Sequence, residues 1–310
     1  MELIPGQFEF LWDVPDRGFV WDDAAELLPG TTGKPAPGQR RLAPPYLVQH
    51  PETTSRLRRR PLEDGTLFLE FASLEPTPEA ILKFANKHGF LGLTVALMPA
   101  NGRSELRLGE SLAAWVAAIE DMHAYVQVWE MLQRRDAGGL GQFIVWSPDG
   151  SGVTFYAGGL EDVPRDRGGL PRHPFYHIAH KYEFADHLAK WRLGDVIEPA
   201  RLLLVRVVSE RLNGQASPRL LLSRKGNGFA GFVMPTNLYS AMWVQFYRAI
   251  LGEARYRRCE ICGQWMDVTY SRRDKRQHTE CGWRVRGRRR NEKKRKARQA
   301  LQDTGGTDRP

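Results

Sequence analysis

The apolar and polar positions change rhythm several times along the chain, and each change predicts an element. From Phe8 to Trp21, "FEFLWDVPDRGFVW" alternates and predicts two short strands around a Pro-Asp-Arg-Gly turn. "GTLFLEFASL" from Gly65 is a short apolar run, read as a strand or buried segment. "TPEAILKFANKHG" predicts a helix with Thr77 as N-cap, Pro78 at its first position and Gly89 closing it. In "ESLAAWVAAIEDMHAYVQVWEMLQRR", Leu112, Trp115, Val116, Ile119, Met122, Val126 and Trp129 recur every three or four residues, the period of an amphipathic helix.

"GQFIVWSPDGSGVTFYAGG" then predicts a hairpin turning at Pro-Asp-Gly. "DVIEPARLLLVRVVSERLNG" reads as a largely buried helix ending at Asn213-Gly214. "RLLLS" and "GFAGFVMPT" form a second hairpin around residues 225–228, and "NLYSAMWVQFYRAILGE", apolar nearly all round, predicts a core helix. Together these elements predict an α+β, helix-rich mixed domain. The Pro/Gly-rich residues 29–45 and the charged residues 161–175 read as loops. The Gly33-Lys34 pair lacks both the leading Gly and the trailing Ser/Thr of a phosphate loop.

Composition adds a real core: 42% of residues are hydrophobic, with nine Trp and fourteen Phe. The longest apolar runs are too short to span a bilayer, and "MELIPGQFEFLWDVPD" lacks the basic and apolar regions of a signal peptide, so a cytoplasmic protein is expected. Charge divides the chain. Residues 255–298 carry seventeen Lys/Arg and five Asp/Glu, a net of +12 against +9 for the whole, so the remainder is mildly acidic. We therefore delimit a body over 1–254 that senses a ligand or partner, a basic module over 255–298 and a disordered tail over 299–310.

All three cysteines lie in that module. Cys259, Cys262, His278 and Cys281 follow C-x2-C-x15-H-x2-C. Four thiolate or imidazole donors suit one tetrahedral zinc, and a full set leaves no open position for catalysis, so the ion is read as structural. Gly263 permits the tight turn of a C-x2-C knuckle. The fifteen-residue insert is long enough for a hairpin, and His278 and Cys281 share one face of a first helical turn. A knuckle, hairpin and ligand-bearing helix describe a treble-clef finger. The alternative is three free cysteines beside a chance histidine; a disulfide framework does not fit a reducing compartment.

The segment resembles the CGNR-type zinc finger of bacterial proteins proposed to regulate transcription. The matching positions are Cys259 and Cys262, then Ser271-Arg272-Arg273, then Cys281-Gly282-Trp283-Arg284 and the arginines that follow. Trp283 stands where that family has Asn, and His278 where it has a cysteine. The resemblance implies DNA binding.

From Trp283 to Arg298 the chain has helix formers but almost no apolar stripe. Arg284, Arg286, Arg288, Arg289, Arg290, Lys293, Lys294, Arg295 and Lys296 repel one another until an anion neutralises them. Nucleic-acid phosphates do so by counterion release, and Arg272, Arg273, Lys275 and Arg276 add a second line of contacts. DNA is favoured over RNA, and a solvated tail is the bland alternative. Elsewhere, "RHPFYHIAHKYEFADH" holds His173, His177, His180 and His187, which on a helix form a second metal site or general-base cluster, or else an ordinary polar face. No catalytic signature is present. The alternative function is an enzyme, a nuclease or hydrolase, that the finger targets to nucleic acid; a third makes the finger a cap on the core helix at Trp243–Tyr247.

Overall fold

The computed structural model describes residues 10–27, 44–63, 65–98, 107–156, 176–179, 186, 190–222, 229–269, 271 and 275–304. The chain divides into two compact units, residues 1–250 and 251–310. The break falls four residues before the expected one.

The body mixes helix and strand. Its five-stranded antiparallel sheet runs in the order β2 (Phe19–Asp22), β4 (Tyr46–Gln49), β7 (Arg107–Ser111), β6 (Val95–Met98), β3 (Glu26–Leu27). β1 (Trp12–Pro15) pairs with β5 (Arg56–Arg59). So the two strands expected near the N-terminus form, but in different sheets, because the turn between them leads each to a partner downstream. Tyr46, Leu47 and Val48 are all buried, so β4 is covered on both faces.

The apolar run after Gly65 is a helix, α1 (Leu67–Ala72), not a strand. Leu67, Phe68, Leu69 and Phe71 are fully buried, so no exposed face imposes a period on the sequence. Its opening is fixed from afar: buried Gln245 accepts from the Phe68 N–H at 3.2 Å and donates to the Pro61 carbonyl at 2.9 Å. α2 (Pro78–His88) is capped as expected, with Thr77 Oγ1 accepting from Ala80 N–H and Gly89 at φ +96°. α3 (Leu112–Arg134) starts two residues after the predicted Glu110, because Glu110 and Ser111 belong to β7; the Ser111 hydroxyl caps the helix. α4 (Ala137–Gly141) is a short turn capped by Asp136.

Then β8 (Ile144–Trp146), β9 (Gly152–Phe155) and β10 (Tyr176–Ala179) form a three-stranded antiparallel sheet. α5 (Ile197–Leu212) buries one face through Leu203, Leu204, Val207 and Val208 and leaves Val205 exposed, so it is half-buried rather than largely buried. β11 (Ala216–Leu222) and β12 (Phe229–Pro235) pair as the second hairpin, whose turn lies outside the described residues. α6 (Leu238–Ile250) is buried on nearly all sides.

The core is aromatic. Phe68, Trp129, Trp243 and Phe246 stand in edge-on and tilted pairs 5.5–6.4 Å apart between α1, α3 and α6. One polar lock ties α3, α5 and α6. The Asp121 carboxylate, nearly buried, meets Arg211 at 2.8 Å and the Tyr239 hydroxyl at 2.9 Å, and Arg211 lies 5.9 Å from the centre of the Trp243 ring. Burial raises the Asp121 pKa while Arg211 pulls it back down. Asp121→Ala leaves the guanidinium and phenol short of their acceptor and is expected to cost about 2–4 kcal/mol in urea unfolding. The double variant Asp121→Leu/Arg211→Met is expected to recover much of that loss; an equal loss in both would show that the unpaired guanidinium is not its cause.

Candidate metal centre

The C-terminal unit begins with a hairpin, β13 (Tyr256–Arg258) against β14 (Trp265–Asp267), and Arg258 sits opposite Trp265. The Arg258 guanidinium lies 4.3 Å from the centre of the Trp265 ring. The base of the hairpin is tied by Val268 N–H donating to the Arg255 carbonyl and Arg255 N–H to Thr269 Oγ1, each at 2.8 Å. Residues 259–264 are its loop. Cys259 N–H donates to the Gln264 carbonyl at 2.8 Å and Gly263 N–H to the Cys259 carbonyl at 2.9 Å. Gly263 takes φ +70°, a conformation cheap only for glycine. The strands thus bracket the C-x2-C knuckle instead of lying wholly within the fifteen-residue insert, because the knuckle is itself the turn.

The second ligand pair arrives with α7 (Thr279–Thr304). Gly282 N–H donates to the His278 carbonyl at 3.0 Å, so His278 immediately precedes the helix and Cys281 occupies its first turn. The ligand atoms of Cys259, Cys262, His278 and Cys281 all lie within 4.8 Å of one another, close enough to hold a metal ion. The donor chemistry fits. A tetrahedral ion about 2.3 Å from sulfur and about 2.0 Å from nitrogen sets such a pair about 3.5 Å apart. Cys262 Sγ and His278 Nδ1 are 3.4 Å apart. The other ring nitrogen, Nε2, is 3.1 Å from the Trp265 carbonyl, which can only accept. That contact assigns the proton to Nε2 and leaves the Nδ1 lone pair facing the sulfurs, the orientation a metal-bound imidazole needs.

Around the sulfurs the electrostatics are uneven. Burial pushes the Cys259 thiol up, but N–H groups of Cys262, His278 and Ile261 turned toward it outweigh burial and hold it at about 6. Burial, hydrogen bonds with Cys262 and Cys259 and their negative charge push Cys281 up to about 11. Three sulfurs this close cannot all shed their protons unaided; a divalent cation held by the four groups would supply the missing charge. Among the described residues, Cys259, Met266 and Cys281 with Val268 are also the apolar core of this unit.

Beside the cluster lies an open groove of about 770 Å³ whose lining includes Lys275, Arg276, Gln277, Thr279, Gly282 and Arg286. Arg284, Arg286, Arg288, Arg290, Lys293, Lys294, Arg295 and Lys296 are all exposed along α7, as is Arg276; Lys275 is half-buried. Arg276 pairs with Glu260 at 3.5 Å and Lys296 with Glu292 at 3.3 Å. Arg272, Arg273 and the side chain of Arg289 lie outside the described residues. α7 runs on to Thr304, six residues into the stretch expected as tail. Helix formers continue through "ARQALQDT", which composition alone had not separated from a tail.

In the body, His177 lies on strand β10, paired with Thr154, so the helical spacing that suggested a histidine site is absent there. β9 is the central strand of that sheet, with β10 on one edge and β8 on the other. His173, His180 and His187 lie outside the described residues. A concavity among Ala124, Tyr125, Val128, Phe143, Phe155, Tyr156 and Leu203 holds about 10 Å³, enough for one water and far below the several hundred cubic ångströms a small-molecule site needs. No helix among the described residues is long and apolar enough to cross a membrane. Comparison of the chain with family models, curated proteins and solved structures returns no match.

Proposed function

We propose that the C-terminal unit is a treble-clef type of zinc finger whose single zinc is structural and whose basic helix binds nucleic acid, DNA in the first place, within a cytoplasmic regulator. One observation carries the reading: four metal-ligating atoms within 4.8 Å fix the first turn of a helix whose described side chains from Arg284 to Lys296 include eight exposed cations. The saturated ligand set assigns the ion to holding structure. The cations contact phosphates, which position a protein on nucleic acid without reading its sequence. The resemblance of Cys259, Cys262 and Cys281-Gly282-Trp283-Arg284 to CGNR-type fingers supports DNA as the partner. The body, residues 1–254, is assigned the sensing of a ligand or partner.

The test is affinity for mixed-sequence duplex DNA across a salt series. Affinity is expected to fall about 10²- to 10⁴-fold between 50 and 200 mM salt, and deleting residues 283–298 is expected to abolish it. Salt-independent binding, or no binding to either duplex or single-stranded nucleic acid, would reject this function.

A further inference from the structure

The charged surface explains phosphate contact, but it leaves Trp283 unexplained. This indole is 63% exposed, and among the described side chains of the helix it is the one exposed large apolar group. Its neighbours one turn away are Thr279 and Glu280 on one side and Arg286 and Gly287 on the other, and Thr279 and Arg286 line the basic groove. One turn toward the C-terminus stands Gly287, where an added side-chain carbon would meet nothing within 4 Å. Helical side chains lean back toward the N-terminus, so the residue four positions on is the one that would lie over Trp283. That residue is glycine, and it covers nothing. The ring is therefore a bare aromatic surface at the edge of a cationic groove. By contrast, the ring of Trp265 in the same unit is already occupied by Arg258.

We propose that Trp283 is a stacking platform for an unpaired base, and that the finger therefore prefers single-stranded nucleic acid over intact duplex. This rests on the proposed nucleic-acid function and names the form of its partner. Phosphates of the bound strand lie along Lys275, Arg276 and Arg286 while one base lies on the indole. In a duplex both faces of each internal base are covered by neighbours, so the same ring finds no partner there. Stacking of this kind tolerates any base and adds to the salt-dependent contact without changing its slope.

The experiment compares oligo(dT), oligo(U) and a duplex of equal length as ligands of the full-length, zinc-loaded protein. Trp283→Ala is expected to weaken binding to either single strand about tenfold to hundredfold, with the salt slope unchanged and duplex binding altered less than about twofold. Trp283→Phe is expected to retain most of the affinity. Gly287→Leu, which covers the ring while favouring the helix, is expected to reproduce the loss; the visible spectrum of the cobalt-substituted site reports whether each variant keeps its metal knot. Equal binding of Trp283→Ala and the parent chain to single strands would overturn the platform and leave the phosphate contact standing. So would an equal loss on single strand and duplex. If the parent chain binds none of the three ligands, the nucleic-acid function fails and the platform with it.

Discussion

Replacing Cys259 and Cys262 together by Ser is expected to unfold residues 256–285 and to end nucleic-acid binding, while the body keeps its own transition. The reason is the size of the core. Among the described residues Cys259, Met266, Cys281 and half-buried Val268 are the apolar cluster of this unit, and two of the four belong to the group that could hold a metal. So few buried side chains cannot offset the entropy of ordering the hairpin and the first helical turns. Metal binding can, since structural zinc contributes about 10–16 kcal/mol to small fingers near neutral pH. Metal analysis is expected to give one zinc per chain for the parent and none for the variant. Amide exchange is expected to lose protection at Cys259, Gly263 and Gly282, whose N–H groups the knuckle and helix start hold. Chelation should have the same effect on the parent chain. Retained protection in metal-free protein would reject the zinc finger, and a common melting of both units would mark the finger as part of the fold of the body.

The second large effect is expected at Glu110, in β7 of the body. Its carboxylate is completely buried and accepts three backbone N–H bonds, from Leu91 at 3.0 Å and from Gly92 and Leu93 at 2.7 Å each. Gly92, at φ +90°, turns these donors toward one point. Glu110→Ala leaves all three N–H groups unpaired beside a new cavity and is expected to cost about 3–5 kcal/mol, a large share of the 5–15 kcal/mol that holds a typical domain together. Urea unfolding of the body measures it. Glu110→Gln keeps one oxygen but turns an amide donor toward a donor, and should cost less.

The same residue gives the stability of the body a pH slope. Burial pushes the Glu110 carboxyl up to about 7, against the N–H bonds from Leu91, Leu93 and Gly92. A carboxyl whose folded pKa lies above its unfolded value binds more protons in the folded state, so its contribution is full below about 4.5 and is lost as pH rises through about 7. The body is expected to be less stable at pH 8 than at pH 5.5 by about 2–3 kcal/mol through this group, and Glu110→Gln should flatten the slope. A rise in stability over that interval that vanishes in Glu110→Gln would reverse the assignment.

Both effects bear on what the sequence could disclose. The metal ligands were legible because their donor chemistry is rare and their spacing local. The pairing of His278 Nε2 with the Trp265 carbonyl was not, since backbone acceptors leave no mark in residue identity. Caps were legible at Thr77, Pro78 and Gly89, where each residue acts on its own helix end. The central sheet was largely hidden. β4, β6 and β7 are short, one or both of their faces are covered, and their register depends on partners tens of residues away. Glu110 and Asp121 both fall within the one predicted amphipathic helix, outside its apolar positions. Only the packing of α3 against its neighbours makes Asp121 interior, and the extension of β7 makes Glu110 a sheet residue.

The basic helix has one more consequence, set by its linear charge density. From Arg284 to Lys296 the chain carries nine cationic residues and Glu292, a net of +8 over a rise of about 18 Å, or one charge in about 2.3 Å. That is close to the one charge per roughly 1.7 Å of duplex DNA. Two unit charges in water must stand about 7 Å apart before their repulsion falls to thermal energy. The free helix is therefore a polyelectrolyte in its own right, wrapped in a sheath of small anions. Any polyanion it meets must strip that sheath as well as its own, so the identity of the buffer anion, chloride against a bulky carboxylate, is expected to shift association alongside the salt concentration.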